Sequence, residues 1–105
     1  MPLPNLKDVE KALEFLSETD DKYAEAHAKD SLSKEWSKIV KYENLPEDGT
    51  ILSREAEAYS SENYKQALRE EEQKRYDKKK LELQRENATL VIEVWRSINA
   101  NQRRS

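Results

Sequence analysis

Apolar residues recur along the chain at spacings of three and four, the repeat that places side chains on one face of an α-helix. Two series are clear: Leu6, Val9, Leu13 and Leu16, and later Trp36, Ile39, Val40 and Tyr42. Asn5 is a favourable N-cap for the first series, and Asp8 adds negative charge where the helix dipole stabilises it. The pattern predicts a first helical arm over about residues 6–44.

The weakest part of this arm is the polar stretch from Ser17 to Asp21. Residues 17–20 could kink or break the arm, with Thr19 capping a second helix. Alternatively, the helix continues through them. The sequence leaves both alternatives open.

Turn signals are concentrated at one internal position. The chain has one glycine and three prolines, and Pro46 and Gly49 lie together. This cluster predicts a turn over residues 45–53, with Ser53 as the expected N-cap of the next helix. From Arg54 to about Asn99 no residue breaks a helix, so we predict one long helix over about 54–99 and a short polar C-terminal tail.

Two long helices joined by a short turn become antiparallel neighbours. The sequence therefore predicts an all-α fold, a single domain over residues 1–105 formed by a long, coiled-coil-like antiparallel hairpin. With the reversal centred near 48–49, Leu16 lies opposite Leu81 and Trp36 near Ser60. We place the aromatic residues Trp36, Tyr59 and Tyr64 in the core or seam between the arms. Because such a seam buries little apolar surface, we also expect a homodimer that completes a helical bundle.

Composition supports extended helices. Charged residues make up 39% of the chain and apolar residues 35%, against a usual ~25% and 45–50%. The periodic aromatic residues argue against disorder. There is no cysteine, which excludes disulfides and cysteine-based metal sites. The longest apolar run, Leu90 to Ile92, is far too short to span a bilayer, and we expect a cytoplasmic protein without membrane contact.

Candidate chemistry is sparse. His27 is the only histidine, and its polar helical surroundings indicate a solvated side chain rather than a metal ligand. Adjacent carboxylates such as Asp20 and Asp21 have no predicted cleft to separate their pKa values. A single glycine excludes a phosphate-binding loop. We therefore expect no enzymatic activity, no cofactor and no metal.

A protein interface is expected at the C-terminal end of the long helix. Ile92, Trp95 and Ile98 form an apolar cluster beside Arg96, and tryptophan with arginine is the composition of a binding hot spot. We predict that these four residues bind a protein partner that the sequence does not identify.

The alternative is direct contact with DNA through the basic stretch of the long helix. Its candidate residues are Arg75, Lys78, Lys79, Lys80 and Arg85. Phosphate binding requires a contiguous positive face, whereas Asp77 and Glu82 interrupt this one and the net charge is −3. The acidic first arm also permits an acidic DNA-mimic inhibitor, although −3 is a small negative balance for one.

Three segments resemble a family of small helical proteins from tailed bacteriophages and prophages. They are ALEFL at 12–16 followed by Thr19 and Asp20, EAEAY at 55–59, and IEVWRSINAN at 92–101. Members of that family lie in early genome regions near recombination genes and have no settled activity. The resemblance implies a host bacterial cytoplasm and an accessory role in phage DNA metabolism or in modulation of a host protein. It implies no catalytic residues.

Overall fold

The computed structural model describes residues 3–104 of the chain, with side chains to residue 102. Over this range the protein consists of three helices and contains no strand: α1 is Leu6–Glu43, α2 is Ile51–Ser60 and α3 is Glu62–Arg104. The predicted all-α fold is confirmed. None of the described helices combines the length and the apolar character that crossing a membrane requires.

Helix α1 begins with a reciprocal cap and continues without interruption. The side chain of Asn5 accepts a hydrogen bond from the Asp8 amide at 2.9 Å, and the Asp8 carboxylate accepts one from the Asn5 amide at 3.0 Å. This arrangement satisfies two amides that the first turn leaves open. At residues 17–20 the helix runs through, because the Thr19 hydroxyl donates to the Phe15 carbonyl at 2.7 Å and caps no new helix.

The second arm differs from its prediction at both ends and in its interior. Its first helix begins at Ile51, where Thr50 rather than Ser53 is the N-cap. The predicted uninterrupted helix over 54–99 is wrong, because Ser61 has an extended backbone with ψ 144° and separates α2 from α3. The predicted polar tail is also helical as far as Arg104.

Ser61 accounts for the interruption because it satisfies both helix ends. Its amide donates to the Ala58 carbonyl at 3.3 Å at the end of α2. Its hydroxyl accepts from the Tyr64 amide at 3.2 Å at the start of α3. A serine that caps a following helix compensates for the lost helical hydrogen bonds.

The connection between α1 and α2 depends on Gly49. Its φ of +111° lies in the left-handed region, which costs L-residues with a side chain. A Cβ at this position would also approach the Ser53 hydroxyl to 2.8 Å. The sequence therefore places its single glycine where no other residue fits without strain.

The chain divides into two compact units. Unit 1 contains the described residues up to Ala24 and those from Lys79 onward, and unit 2 is Glu25–Lys78. The prediction of a single domain over residues 1–105 stays a prediction.

In both units α1 and α3 are antiparallel. In unit 1 Val9 packs with Ile92, and Asp20, further along α1, pairs with the earlier Arg85. In unit 2 Asp30 pairs with Lys78, while Ser37 bonds to the earlier Glu71. The predicted helical hairpin is confirmed.

The predicted register of the hairpin is wrong. Leu16 was expected opposite Leu81, but its carbonyl accepts a hydrogen bond from Arg85. Trp36 was expected near Ser60, but its neighbour Ser37 bonds to Glu71. The partners of α1 lie later in α3 because the reversal takes in all of α2 rather than centring on residues 48–49.

Candidate interaction surfaces

The seam of unit 2 contains buried polar side chains. Asp30 is completely buried. Its carboxylate accepts a hydrogen bond from Lys78 Nζ at 2.8 Å and forms an ion pair with Lys34 Nζ at 3.3 Å. The buried Ser37 donates to the Glu71 carboxylate at 2.9 Å. Side chains that usually face water therefore join α1 to α3 in this unit.

The buried carboxylate of Asp30 is held in its charged form. The hydrogen bond from Lys78 lowers its pKa below the ordinary value of 3.8; burial opposes this shift, and the hydrogen bond from Lys34 adds to it. Asp30 Oδ1 has no hydrogen-bond partner among the described residues. An incompletely satisfied buried pair of this kind contributes little net stability.

The large apolar side chains of α1 in unit 2 lie in solvent. Leu32, Trp36 and Ile39 are 70%, 49% and 47% exposed, at spacings of four and three that place them on one helical face. Exposed neighbours lengthen this face at both ends, and we call the whole set the α1 stripe: Ala28, Leu32, Trp36, Ile39 and Tyr42. Trp36 lies at the edge of the seam rather than inside it, because half of its surface is exposed while the rest lines a cleft with Ala67 and Glu70 of α3.

The apolar residues that unit 2 buries are small. Its buried apolar residues are Val40, Ala58 and Ala67. A valine and two alanines bury far less apolar surface than a leucine, an isoleucine and a tryptophan would. The α1 stripe thus leaves a large apolar surface exposed on this unit, although Trp36 and Ile39 are about half covered.

Unit 1 has an apolar core with a groove beside it. Val9, Ala12, Ala88 and Ile92 are buried, and Trp95 packs against them. The groove has a volume of about 770 Å³ and runs between α1 and α3. We call it the unit-1 groove. Its apolar lining is Ala12, Phe15, Ala88, Leu90, Val91 and Val94, with Leu3 and Pro4; its polar lining is Asp8, Lys11, Gln84 and Asn87.

The residues predicted as a protein interface occupy different environments. Ile92 is part of the buried core, and Trp95 packs against that core. Ile98 is half-buried, whereas Arg96 is exposed. Ile92 and Trp95 therefore hold unit 1 together, and the accessible apolar surface of the same helix is the wall of the groove, at Val91 and Val94.

Most of the basic residues predicted for DNA contact are paired with carboxylates or carbonyls of the chain. Lys78 holds the buried Asp30. Arg85 donates to the Leu16 carbonyl at 2.9 Å, to the Thr19 hydroxyl at 2.7 Å and to the Asp20 carboxylate at 2.6 Å.

The remaining three candidates are more exposed. Arg75 pairs with Glu71 at 3.0 Å and Lys79 with Glu82 at 3.8 Å. Lys80 is exposed and forms no ion pair within the described residues. With Lys78 and Arg85 held in contacts within the chain, the remaining cations lie beside Glu71 and Glu82 and do not form the contiguous positive face that phosphate binding requires.

No group of three or more histidine, cysteine or acidic residues in the described part of the chain could hold a metal ion. His27 is exposed on α1. The chain matches no protein-family model, and no curated protein and no solved structure is significantly similar to it.

Proposed function

We propose that the protein is a non-catalytic accessory protein that acts by protein–protein interaction. The observation that carries this proposal is the placement of apolar side chains. Large aliphatic and aromatic residues lie in solvent, while polar ones are buried in the seam of unit 2. Exposed apolar surface of this extent is typical of sites that bind other proteins.

The unit-1 groove fits an amphipathic helix of the partner. Two packed helices form its floor and walls, and a third helix with apolar residues at i, i+3, i+4 and i+7 fills such a groove. Phe15 and Val91 supply apolar walls, while the oppositely charged Asp8 and Lys11 leave the rim without a strong net charge. We therefore propose a partner helix that inserts apolar side chains and has mixed charge at its flanks.

The cellular setting in this proposal comes from the resemblance of residues 12–20, 55–59 and 92–101 to phage and prophage proteins. On that basis the protein acts in a host bacterial cytoplasm, in phage DNA metabolism or in the modulation of a host protein. Within this setting we propose that the protein forms a homodimer that binds one further protein.

Capture of the partner from a bacterial lysate tests the groove. Val94 lines the groove but is outside the buried core, so Val94→Asp introduces a charge there without emptying the core. We expect capture to fall at least tenfold, because an unpaired carboxylate would be desolvated in the contact. Leu83→Asp, at an exposed leucine of the same helix outside the groove lining, is the matched control and should leave capture unchanged.

Two results would contradict the proposal. If the Val94→Asp and wild-type proteins capture the partner equally and have equal helicity by circular dichroism, the unit-1 groove is not the binding site. Saturable binding of duplex DNA at physiological salt, lost in Lys80→Glu, would replace the protein partner with a nucleic acid. We expect no binding in that titration, because Lys78 and Arg85 are held in contacts within the chain and acidic residues lie beside the other cations.

A further inference from the structure

The α1 stripe has the spacing of a helix that pairs with another helix. Leu32 and Ile39 are seven residues apart, and Ala28 and Tyr42 occupy the positions four before Leu32 and three after Ile39. Successive members of the stripe are four, four, three and three residues apart, which keeps them on one face of the helix. This face points away from the contacts that α1 makes through Asp30, Ser37 and Val40 with the rest of unit 2.

One edge of the stripe is self-complementary in charge. Lys29, Trp36 and Glu43 follow one another at intervals of seven, so they form a line along the helix beside the stripe. When a second α1 lies antiparallel with its centre at Trp36, this line is reversed. Lys29 then lies beside the second copy's Glu43, and Glu43 beside the second copy's Lys29.

The apolar positions obey the same reversal. Leu32 comes opposite position 40 of the second copy, next to that copy's Ile39, and the two tryptophan rings meet near the axis. A twofold axis requires such a surface, in which each residue contacts a position that contacts it in return. A second copy of α1 always presents a glutamate to Lys29 and a lysine to Glu43, whereas a helix of another protein would do so only if it had the same two charges at the same spacing.

We propose that the α1 stripe is covered by the same stripe of a second copy of this chain, antiparallel, with a twofold axis beside Trp36. This inference takes from the proposed function only that the protein is a homodimer. The α1 stripe shares no residue with the unit-1 groove.

The ion pair that Lys29 makes within α1 does not compete strongly with this contact. Lys29 and Glu25 are 2.8 Å apart, and their side chains are 54% and 64% exposed. Exposed pairs of this kind are screened by water and salt. Lys29 is therefore available to a carboxylate that approaches from a second copy.

Charge reversal tests the pairing and its direction. Lys29→Glu alone and Glu43→Lys alone each place like charges together at both ends of the contact, and we expect dimerisation at least tenfold weaker by sedimentation equilibrium. An equimolar mixture of the two variants restores both opposite-charge contacts. We expect a heterodimer as strong as the wild-type dimer. Lys65→Glu, at an exposed lysine of α3, is the matched control and should dimerise normally.

Cross-linking tests the axis. The chain has no cysteine, so Trp36→Cys provides a single thiol in each copy. A disulfide needs Cα atoms about 4.4–6.8 Å apart, which two equivalent residues reach only close to a twofold axis. We expect Trp36→Cys to form a covalent dimer under mild oxidation within minutes. Leu52→Cys, at the more exposed leucine of α2, should remain largely uncoupled.

Three outcomes would overturn the proposal. In the first, the wild-type chain remains monomeric at about 100 micromolar. In the second, each charge variant dimerises as strongly as the wild type. In the third, the mixture of the two variants associates no better than either variant alone. A dimer broken by Val94→Asp but not by Lys29→Glu would move self-association to the unit-1 groove. Loss of partner capture in Val94→Asp with an intact dimer separates the two proposals, since only capture then depends on the groove.

Discussion

The burial of Asp30 could not be predicted from the hydrophobic pattern of α1. The sequence places it on a polar stretch, yet its side chain is completely buried between two lysines. Asp30 and Ser37 lie seven residues apart and define the face that α3 covers. That spacing is readable in the sequence, but apolar periodicity directs attention to the stripe of Leu32, Trp36 and Ile39 instead.

The carboxylate of Asp30 makes unit 2 sensitive to pH. Because its pKa is lowered in the folded protein, its contribution is fully present above the ordinary value of 3.8 and is lost as the pH falls through the lower folded value. Because Lys34 is partly exposed to water, we expect the loss of this carboxylate to change the stability of the protein only moderately. Asp30→Asn should lower the free energy of unfolding at pH 7 by about 1–3 kcal/mol.

Urea unfolding at pH 7 and pH 2.5 checks this prediction. The wild type should lose more stability between the two pH values than Asp30→Asn does, because the variant has no carboxylate to protonate. Glu14→Gln, at an exposed carboxylate of the same helix, is the control and should lose as much stability between the two pH values as the wild type does. Identical pH dependence in Asp30→Asn and wild type would contradict the assignment.

At the scale of the elements, helix starts with strong caps were easier to predict than the helix break. The Asn5–Asp8 box is visible in the sequence, and α1 begins where the pattern placed it. Ser61 was missed because serine is tolerated inside helices and no glycine or proline accompanies it. Its signal was local: Ser61 followed by Glu62, an N-cap with an acidic first turn.

The cap at Ser61 predicts a specific loss. Ser61→Ala removes the hydroxyl that accepts from the Tyr64 amide, and we expect the free energy of unfolding to fall by about 1 kcal/mol. Ser60→Ala, at the exposed neighbouring serine whose hydroxyl bonds within α2, should change it by less than half as much. Equal effects of the two substitutions on the urea midpoint would show that Ser61 does not cap α3.

For the whole molecule, the sequence was sufficient for the class of fold and insufficient for its surfaces. Two helical arms and one reversal follow from periodicity and from the position of Gly49. Which stripe of each helix faces the other arm does not follow, because a hairpin leaves apolar residues on more than one face. For this reason Ile92 and Trp95, which were predicted to form an interface, pack in or against the core of unit 1, while the residues of the α1 stripe are exposed.

Fluorescence of Trp36 tests most directly whether the α1 stripe is a contact surface. The chain has two tryptophans, so Trp95→Phe leaves Trp36 as the single reporter, and circular dichroism verifies that helicity is retained. We expect acrylamide to quench Trp36 readily at nanomolar protein. At high micromolar protein, quenching should fall severalfold and the emission should shift to the blue as a second copy covers the ring. Quenching and emission that stay constant across this range would contradict the account.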